Sequence, residues 1–289
     1  MIDIDETLVS ELISEQFPHW SALSLRAVPQ QGWDNRTFCL GDDLSVRLPS
    51  AEAYAAAVEK EKRALEFLDG KLPVLVPGIV AVGAPSADYP LPWSVRRWLP
   101  GSTIDETSLI DRISLAVDLG SVLCALRSLP TDAGASAGQH SFYRGCHPSA
   151  YSDQVQIALE HLGDDVDAKR CREIWLAATT SAWESAPVWF HGDIATGNLL
   201  TDGGRLSAVI DFGTCGIGDP ACDLVMAWTY FDDEARAAFR ESVALDDATW
   251  QRAQGWALWK ALATMSGQSS PDPGGTQERA LATLLSTAS

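Results

Sequence analysis

The chain has 289 residues, 46% of them hydrophobic and 21% charged, with a mean hydropathy of −0.02. These values exclude a disordered or fibrous chain and leave room for one large domain or two lobes with a sizeable core. A net charge of −18 runs against nucleic acid as a partner, because such binders carry basic patches; most of the acids read as solvated helix faces.

The N-terminus, Met1-Ile2-Asp3-Ile4-Asp5-Glu6, is acidic and lacks the basic region of a signal peptide. No apolar run approaches the ~18 residues of a membrane span. The expectation is a cytoplasmic chain without a membrane partner, as a monomer or homodimer. Cysteines 39, 124, 146, 171, 215 and 222 contain no C-x-x-C pair and read as reduced thiols. A helix over 1–17 is expected, opened by Asp3 with Glu6 three places on. Leu44, Val46 and Leu48 alternate with Ser45 and Arg47, and Gly41-Asp42-Asp43 supplies a turn, so 37–48 reads as a hairpin. A helix over 52–68 follows, then strands at 78–82 and 93–98.

Beyond Gly101 the pattern turns helical. Thr103 and Glu106 read as a capping box for a helix near 108–128, and 131–150 as a loop. Helices are expected over 152–162, 166–184, 220–230, 233–243 and 247–265, with a β-like island at 189–218. A linker at 266–275 precedes a short last helix. A strand-rich first third and a helical remainder make an α+β, two-lobed layout. Trp98-Leu99-Pro100-Gly101 would join the lobes.

The densest chemistry lies in His191-Gly192-Asp193-Ile194-Ala195-Thr196-Gly197-Asn198, followed by Asp211-Phe212-Gly213. Between Asn198 and Asp211, two strand-like runs flank Asp202-Gly203-Gly204, a hairpin turn that would return Asp211 towards Asn198. Two carboxylates and an amide oxygen make a donor set suited to Mg²⁺, a hard cation. Taken singly, Asp and Asn are also ordinary turn residues. The joint spacing is far more specific than any one of them.

His191-Gly192-Asp193 with Asn198 five residues on, Asp211 thirteen residues further, and Gly218-Asp219-Pro220-Ala221-Cys222-Asp223-Leu224 together resemble the aminoglycoside phosphotransferase and choline kinase-like family. The resemblance implies a two-lobed protein-kinase-like fold, with a small antiparallel β-sheet N-lobe and a larger, mainly helical C-lobe. Residues 1–98 would form the nucleotide-binding lobe, 99–101 the hinge, and 102–289 the lobe with the catalytic loop and acceptor site. It further implies Asp193 as the base for the acceptor hydroxyl, and Asn198 and Asp211 as ligands of Mg²⁺ on the phosphates of ATP or GTP. His191 would order the loop. Asp219 before Pro220 reads as a helix cap, and Asp223 likewise as structural.

The first lobe carries a second signature. On the helix over 52–68, Tyr54, Val58, Leu65 and Leu68 make an apolar stripe that also contains Glu61. A carboxylate on such a face needs a partner, and Arg47 is the expected one. In the family a strand cation pairs with a helix glutamate and touches the nucleotide phosphates. That cation is normally Lys; Arg47 keeps the charge with a bidentate geometry. The phosphate loop would be Gln31-Gly32-Trp33-Asp34-Asn35-Arg36-Thr37-Phe38, which places Gly32, Asp34 and Asn35 with Arg47, Glu61, Trp98 and Leu99 as nucleotide-binding residues.

Gly192 replaces the Arg of the protein-kinase H-R-D, and only seven residues separate Asp211 from Asp219. No long activation segment or A-P-E fits there, which favours a small-molecule acceptor. The charge and the Gly32-Trp33-Asp34 loop favour a cationic, aminoglycoside-like acceptor, with Asp232, Asp233 and Glu234 as substrate residues beside Asp193. Helix capping explains those three acids equally. Trp256 and Trp259 could wall a pocket, though the i, i+3 spacing reads as core. Choline, homoserine, macrolide, fructosamine or other amino-alcohol and sugar acceptors stay open, as does a weakly catalytic nucleotide-binding pseudokinase.

Overall fold

The computed structural model describes residues 3–29, 31–32, 34–104 and 110–287. Two compact units emerge. The first comprises Met1–Gly101 and Ala208–Gly213, and the second Ser102–Ser207 and Thr214–Ser289. The main division follows Gly101, but 208–213 groups with the first unit, which a cut along the chain at 101 does not anticipate. There Val209 N donates to Leu75 O at 3.0 Å, and Leu75 bridges Ala208 in parallel.

The first unit opens with α1 (Glu6–Gln16), capped by Asp5, whose carboxylate accepts from Leu8 N. The expected cap, Asp3, lies two residues too early. Strands β1 (Leu25–Ala27), β2 (Asn35–Leu40) and β3 (Leu44–Pro49) precede α2 (Glu52–Leu68), and β4 (Ile79–Gly83) and β5 (Trp93–Arg97) follow it. They form one antiparallel sheet in the order β1-β2-β3-β5-β4. β1 carries too little alternation for sequence reading to find it.

Alternation sets the two faces of this sheet. Val46 and Leu48 face a core built from Val9, Leu12, Ile13, Phe38, Leu40, Tyr89, Trp93 and Val95. Ser45 and Arg47 therefore emerge on the other face. β3 pairs with β5 so that Ser45 opposes Arg96 and Arg47 opposes Ser94. Two arginines thus stand diagonally on one face of the sheet. The stripe expected on α2 is buried at Val58, Glu61, Leu65 and Leu68.

The second unit begins with β6 (Ser102–Thr103), paired with β8 (Leu199–Asp202), which neighbours β9 (Arg205–Val209). Thr103 is therefore a strand residue and not a cap. The expected capping residue Glu106 lies outside the described residues, as does Trp33. The helix α3 (Arg112–Arg127) is opened by Asp111 instead, which accepts from Ile113 N and Ser114 Oγ. Next come α4 (Ser152–Leu162), α5 (Ala168–Thr180) and β7 (Val188–Phe190), the last paired with β10 (Gly216–Gly218). The expected helix 220–230 is split into a 3₁₀ segment, Pro220–Leu224, and the single turn α6 (Met226–Thr229). α7 (Asp233–Val243), α8 (Asp247–Met265) and α9 (Thr276–Thr287) complete the unit. α8 carries the helical core, packing against α4, α5 and α9.

All six cysteines are free, four of them buried. Among the described residues no helix is long and apolar enough to cross a membrane.

Leu65 is fully buried in the stripe that seats α2. Leu65→Ala is expected to cost about 2–5 kcal/mol, because the transfer and cavity terms add. A fall in the chemical denaturation midpoint of the full chain checks this.

Candidate functional site

Two clusters of candidate residues stand out, one in each unit. In the first unit the buried Glu61 anchors the cluster. Its two oxygens accept from Arg96 Nη1 and Nη2, both at 2.8 Å, a bidentate fork. Arg96 Nε in turn donates to Ser94 Oγ at 2.9 Å. Arg47, the partner expected from sequence, stands farther off, with Nη1 at 3.5 Å from Glu61 Oε1. Its Nη2 donates to Asp211 Oδ1 at 2.7 Å and lies 3.8 Å from Asp34 Oδ2. Arg47 thus stands near Glu61, as the sequence suggested, and also near Asp34 and Asp211, but the main counter-ion of Glu61 is Arg96. No periodic signal marks Arg96; only the β3–β5 register reveals it.

Electrostatics follow from burial. Burial alone would raise the Glu61 pKa, but Arg96 first and then Arg47 outweigh it and bring it down to about 2. Burial also opposes the charge on Arg47, yet Asp211, Glu61 and Asp34 raise its pKa above the ordinary value. Asp34, unlike Glu61, is raised: burial and the adjacent Asp211 carboxylate push it up against the pull of Arg47.

Asp211 adopts φ +67, a left-handed conformation rare for a residue other than glycine. Strain of this kind marks a position held by its surroundings. The next residues are tied down: Phe212 is buried, and Lys60 Nζ donates to Gly213 O at 2.5 Å.

Gln31, Gly32 and Asp34 are fixed by their neighbours. The Gln31 side chain brackets Thr37, accepting from its N–H at 2.8 Å and donating to its carbonyl at 2.9 Å. Asp34 O accepts from Ser50 N and Oγ, and Gly32 O from Arg36 Nη1. Asn35 opens β2 opposite Pro49. Trp98 is exposed, its N–H donating to Asp43 O, and Leu99 is half-buried.

In the second unit, Asp193 is exposed on a loop whose backbone is clamped from below. Asp223, fully buried, accepts from His191 N at 2.8 Å and Gly192 N at 2.7 Å. Burial pushes the Asp223 carboxyl up in pKa, and His191 and the two amides pull it back. His191 Nδ1 accepts from Asp193 N at 3.2 Å, the loop-ordering part expected of it. Gly192 has φ +86, and a Cβ there would come within 2.9 Å of Thr214 Oγ1, so only glycine suits the turn. Asn198 Nδ2 donates to Asp193 O at 2.8 Å and to Asp193 Oδ2 at 3.1 Å, which leaves its amide oxygen outside that contact. Asp219 caps the following 3₁₀ segment through Ala221 N and forms a buried ion pair with Arg252, Nε to Oδ2, at 2.6 Å.

Two of the three acids expected at the start of α7 are engaged locally. Asp232 caps that helix through Ala235 N and lies 3.8 Å from Arg112, while Asp233 pairs with Arg236 at 2.8 Å. Glu234 is exposed in the first turn. Trp256 and Trp259 are buried; Trp259 stacks on Tyr151 with ring centroids 4.0 Å apart.

As metal donors, Asp211 and Asn198 offer hard oxygens, the chemistry Mg²⁺ prefers. Among the described residues no group of three or more His, Cys, Asp or Glu could hold an ion alone.

The model of the phosphotransferase enzyme family matches residues 25–256, spanning both clusters. The chain belongs to this phosphotransferase family. The match agrees with the family expected from the motifs between His191 and Leu224. Among solved structures, the GDP complex of aminoglycoside 2'-phosphotransferase-IIIa is 19% identical with a TM-score of 0.73, covering 98% of this chain and 99% of that one. The streptomycin–ATP–APH(2")-IIa ternary complex is 18% identical with a TM-score of 0.65, covering 99% and 98%. A macrolide 2'-phosphotransferase from Brachybacterium faecium is 21% identical with a TM-score of 0.64, covering 96% and 97%. At these identities the likeness is one of fold, and it is the kinase-like α+β fold expected. An aminoglycoside 3'-phosphotransferase of Niallia circulans is 39% identical over 64 residues, 20% of this chain and 24% of that protein, so the match spans only that share of the relative's length.

Glu61 has a depressed pKa in the folded state, so its contribution to stability is complete above its ordinary value of 4.5 and is lost as pH falls towards 2. Tm measured across that window should fall less steeply for Glu61→Gln than for the natural chain. Asp223→Ala strips two buried amides of their acceptor, at about 1–3 kcal/mol each. Faster hydrogen exchange at His191 and Gly192, with a lower Tm, is the expected result.

Proposed function

We propose that this chain moves the γ-phosphoryl group of ATP or GTP to a hydroxyl of a small molecule. The observation that carries the reading is the exposed Asp193 carboxylate, oriented by Asn198 on a loop clamped by Asp223. Asp193 accepts the proton of the acceptor hydroxyl as its oxygen bonds to the γ-phosphorus. The bond from phosphorus to the bridging oxygen breaks, and the nucleoside diphosphate leaves. Arg47 binds the donor's phosphates, and Asp211 and Asn198 hold Mg²⁺. When bound, the ion neutralises charge on those phosphates. Gly32, Asp34, Asn35, Trp98 and Leu99 border the donor in this reading, and Glu61 supports Arg47. Fold neighbours with ATP or GDP support a nucleotide donor.

An aminoglycoside-like, cationic acceptor is the first reading, supported by the net charge of −18 and by fold neighbours with streptomycin or kanamycin. A macrolide-like acceptor, bulky and largely apolar, is the second, and side chains of the second unit favour it. Phe142 and Tyr143 are exposed, Tyr143 packs edge-on to Tyr151, and Arg144 lies over the Trp259 ring at 5.2 Å. Lys260 is within electrostatic reach of both Arg144 and Asp193. Cations in that position oppose a polycation, and Asp232 and Asp233 are engaged in a cap and in ion pairs.

The test is acceptor-dependent release of ADP or GDP, with Mg²⁺, across aminoglycosides, macrolides, choline and homoserine. Release with one class establishes transfer and names the acceptor; nucleotide binding without transfer to any of them favours the pseudokinase. Asp193→Ala is expected to lower kcat by about 10²–10⁴-fold, the usual contribution of a positioned base, with nucleotide affinity retained. Undiminished turnover in that variant would rule out Asp193 as the base.

A further inference from the structure

The first unit holds two buried arginines where the family pattern calls for one lysine, and their geometries differ. Arg96 is locked. Its fork meets both oxygens of Glu61 at 2.8 Å, its Nε is held by Ser94, and it is 4% exposed. Arg47 lies within 4 Å of three carboxylates, Asp211, Glu61 and Asp34, and matches none of them bidentately. Its two terminal nitrogens face different acids: Nη1 towards Glu61, and Nη2 towards Asp211 and Asp34. A lysine ammonium carries its donors on one nitrogen, whereas the guanidinium sets two nitrogens apart to face different acids.

We propose that Arg96 is the fixed counter-ion of Glu61, and that it thereby releases Arg47 as an exchangeable cation shared between Asp211 and the phosphates of the donor nucleotide. Arg96 is then a positioning residue, acting on the donor only through Glu61 and Arg47. A carboxylate buried as deeply as Glu61 requires a cation. With Arg96 in place that demand is met, and Arg47 can exchange one oxygen anion for another. Without Arg96, Glu61 would draw Arg47 into the same bidentate fork and away from Asp211 and the phosphates. The second arginine also accounts for arginine at position 47, since the fork spans the gap between Glu61 and Asp211.

The inference rests on the nucleotide-donor reading, and its test separates the two. Affinities for ATP and GTP, with and without Mg²⁺, are measured by calorimetry for the natural chain, Arg96→Met, Glu61→Gln and the double variant, with Tm recorded for each. Arg96→Met is expected to weaken nucleotide binding about tenfold or more, as for one lost charge-assisted hydrogen bond to phosphate. In the Glu61→Gln background the same change should cost less than about twofold, because a neutral amide no longer captures Arg47. A residue that only supports the fold would lower Tm without this coupling. If Arg96→Met does not fold, Arg96→Lys takes its place, with a smaller loss that Glu61→Gln again relieves. Unchanged nucleotide affinity in a folded Arg96 variant overturns the proposal, as does a loss that Glu61→Gln leaves in full. A natural chain that binds neither ATP nor GTP overturns the donor reading itself.

Discussion

The first unit is organised around a carboxylate that has no water to solvate it. Glu61 sits in the apolar stripe that seats α2 against the sheet, so α2 can pack only if a cation arrives from the sheet face opposite. Removing one partner of a buried ion pair typically costs about 3–5 kcal/mol. The pairing of Glu61 with Arg96 is therefore a condition for the packing of α2. It also determines where the second guanidinium, Arg47, is directed, and hence what surrounds Asp211.

The second unit solves a related problem with opposite polarity. The loop from His191 to Asn198 must present Asp193 to solvent while turning sharply at Gly192. Its leading amides point inward, where water does not reach, and Asp223 satisfies both. Asp219, which caps the 3₁₀ segment that carries Asp223, is neutralised by Arg252 from α8. Two buried aspartates thus tie the loop to the helical core, one through backbone amides and one through a salt bridge. Asp193 itself is left as the exposed acid of the loop, steadied by Asn198.

Much of this was legible in the chain. The spacing of Asp193, Asn198 and Asp211 marked the family, because those side chains sit at fixed intervals along short, stiff elements. The stripe on α2 showed that Glu61 was buried and needed a partner. Local signals went wrong where two caps competed: Asp5 opens α1 in place of Asp3, and Asp111 opens α3. The acids at 232–234 could be substrate contacts or caps, and the structure engages Asp232 as a cap and Asp233 in an ion pair. Arg96 escaped because Trp93–Arg97 shows arginines at neighbouring positions, and sequence does not tell which of them turns inward.

The sequence by itself determined the order and type of most elements, the family, and the identities of Glu61, Asp193, Asn198 and Asp211 as residues under constraint. These depend on periodicity and on spacing within single elements, both of which are local. Tertiary structure alone decided which cation Glu61 takes. That choice depends on the β3–β5 register, which sets Arg96 opposite Ser45 and Arg47 opposite Ser94. A slip of one residue would exchange the two faces of the strand. No property of either strand read alone contains that information, because register is fixed by the burial of Val46, Leu48 and Val95 in a core assembled from distant parts of the chain.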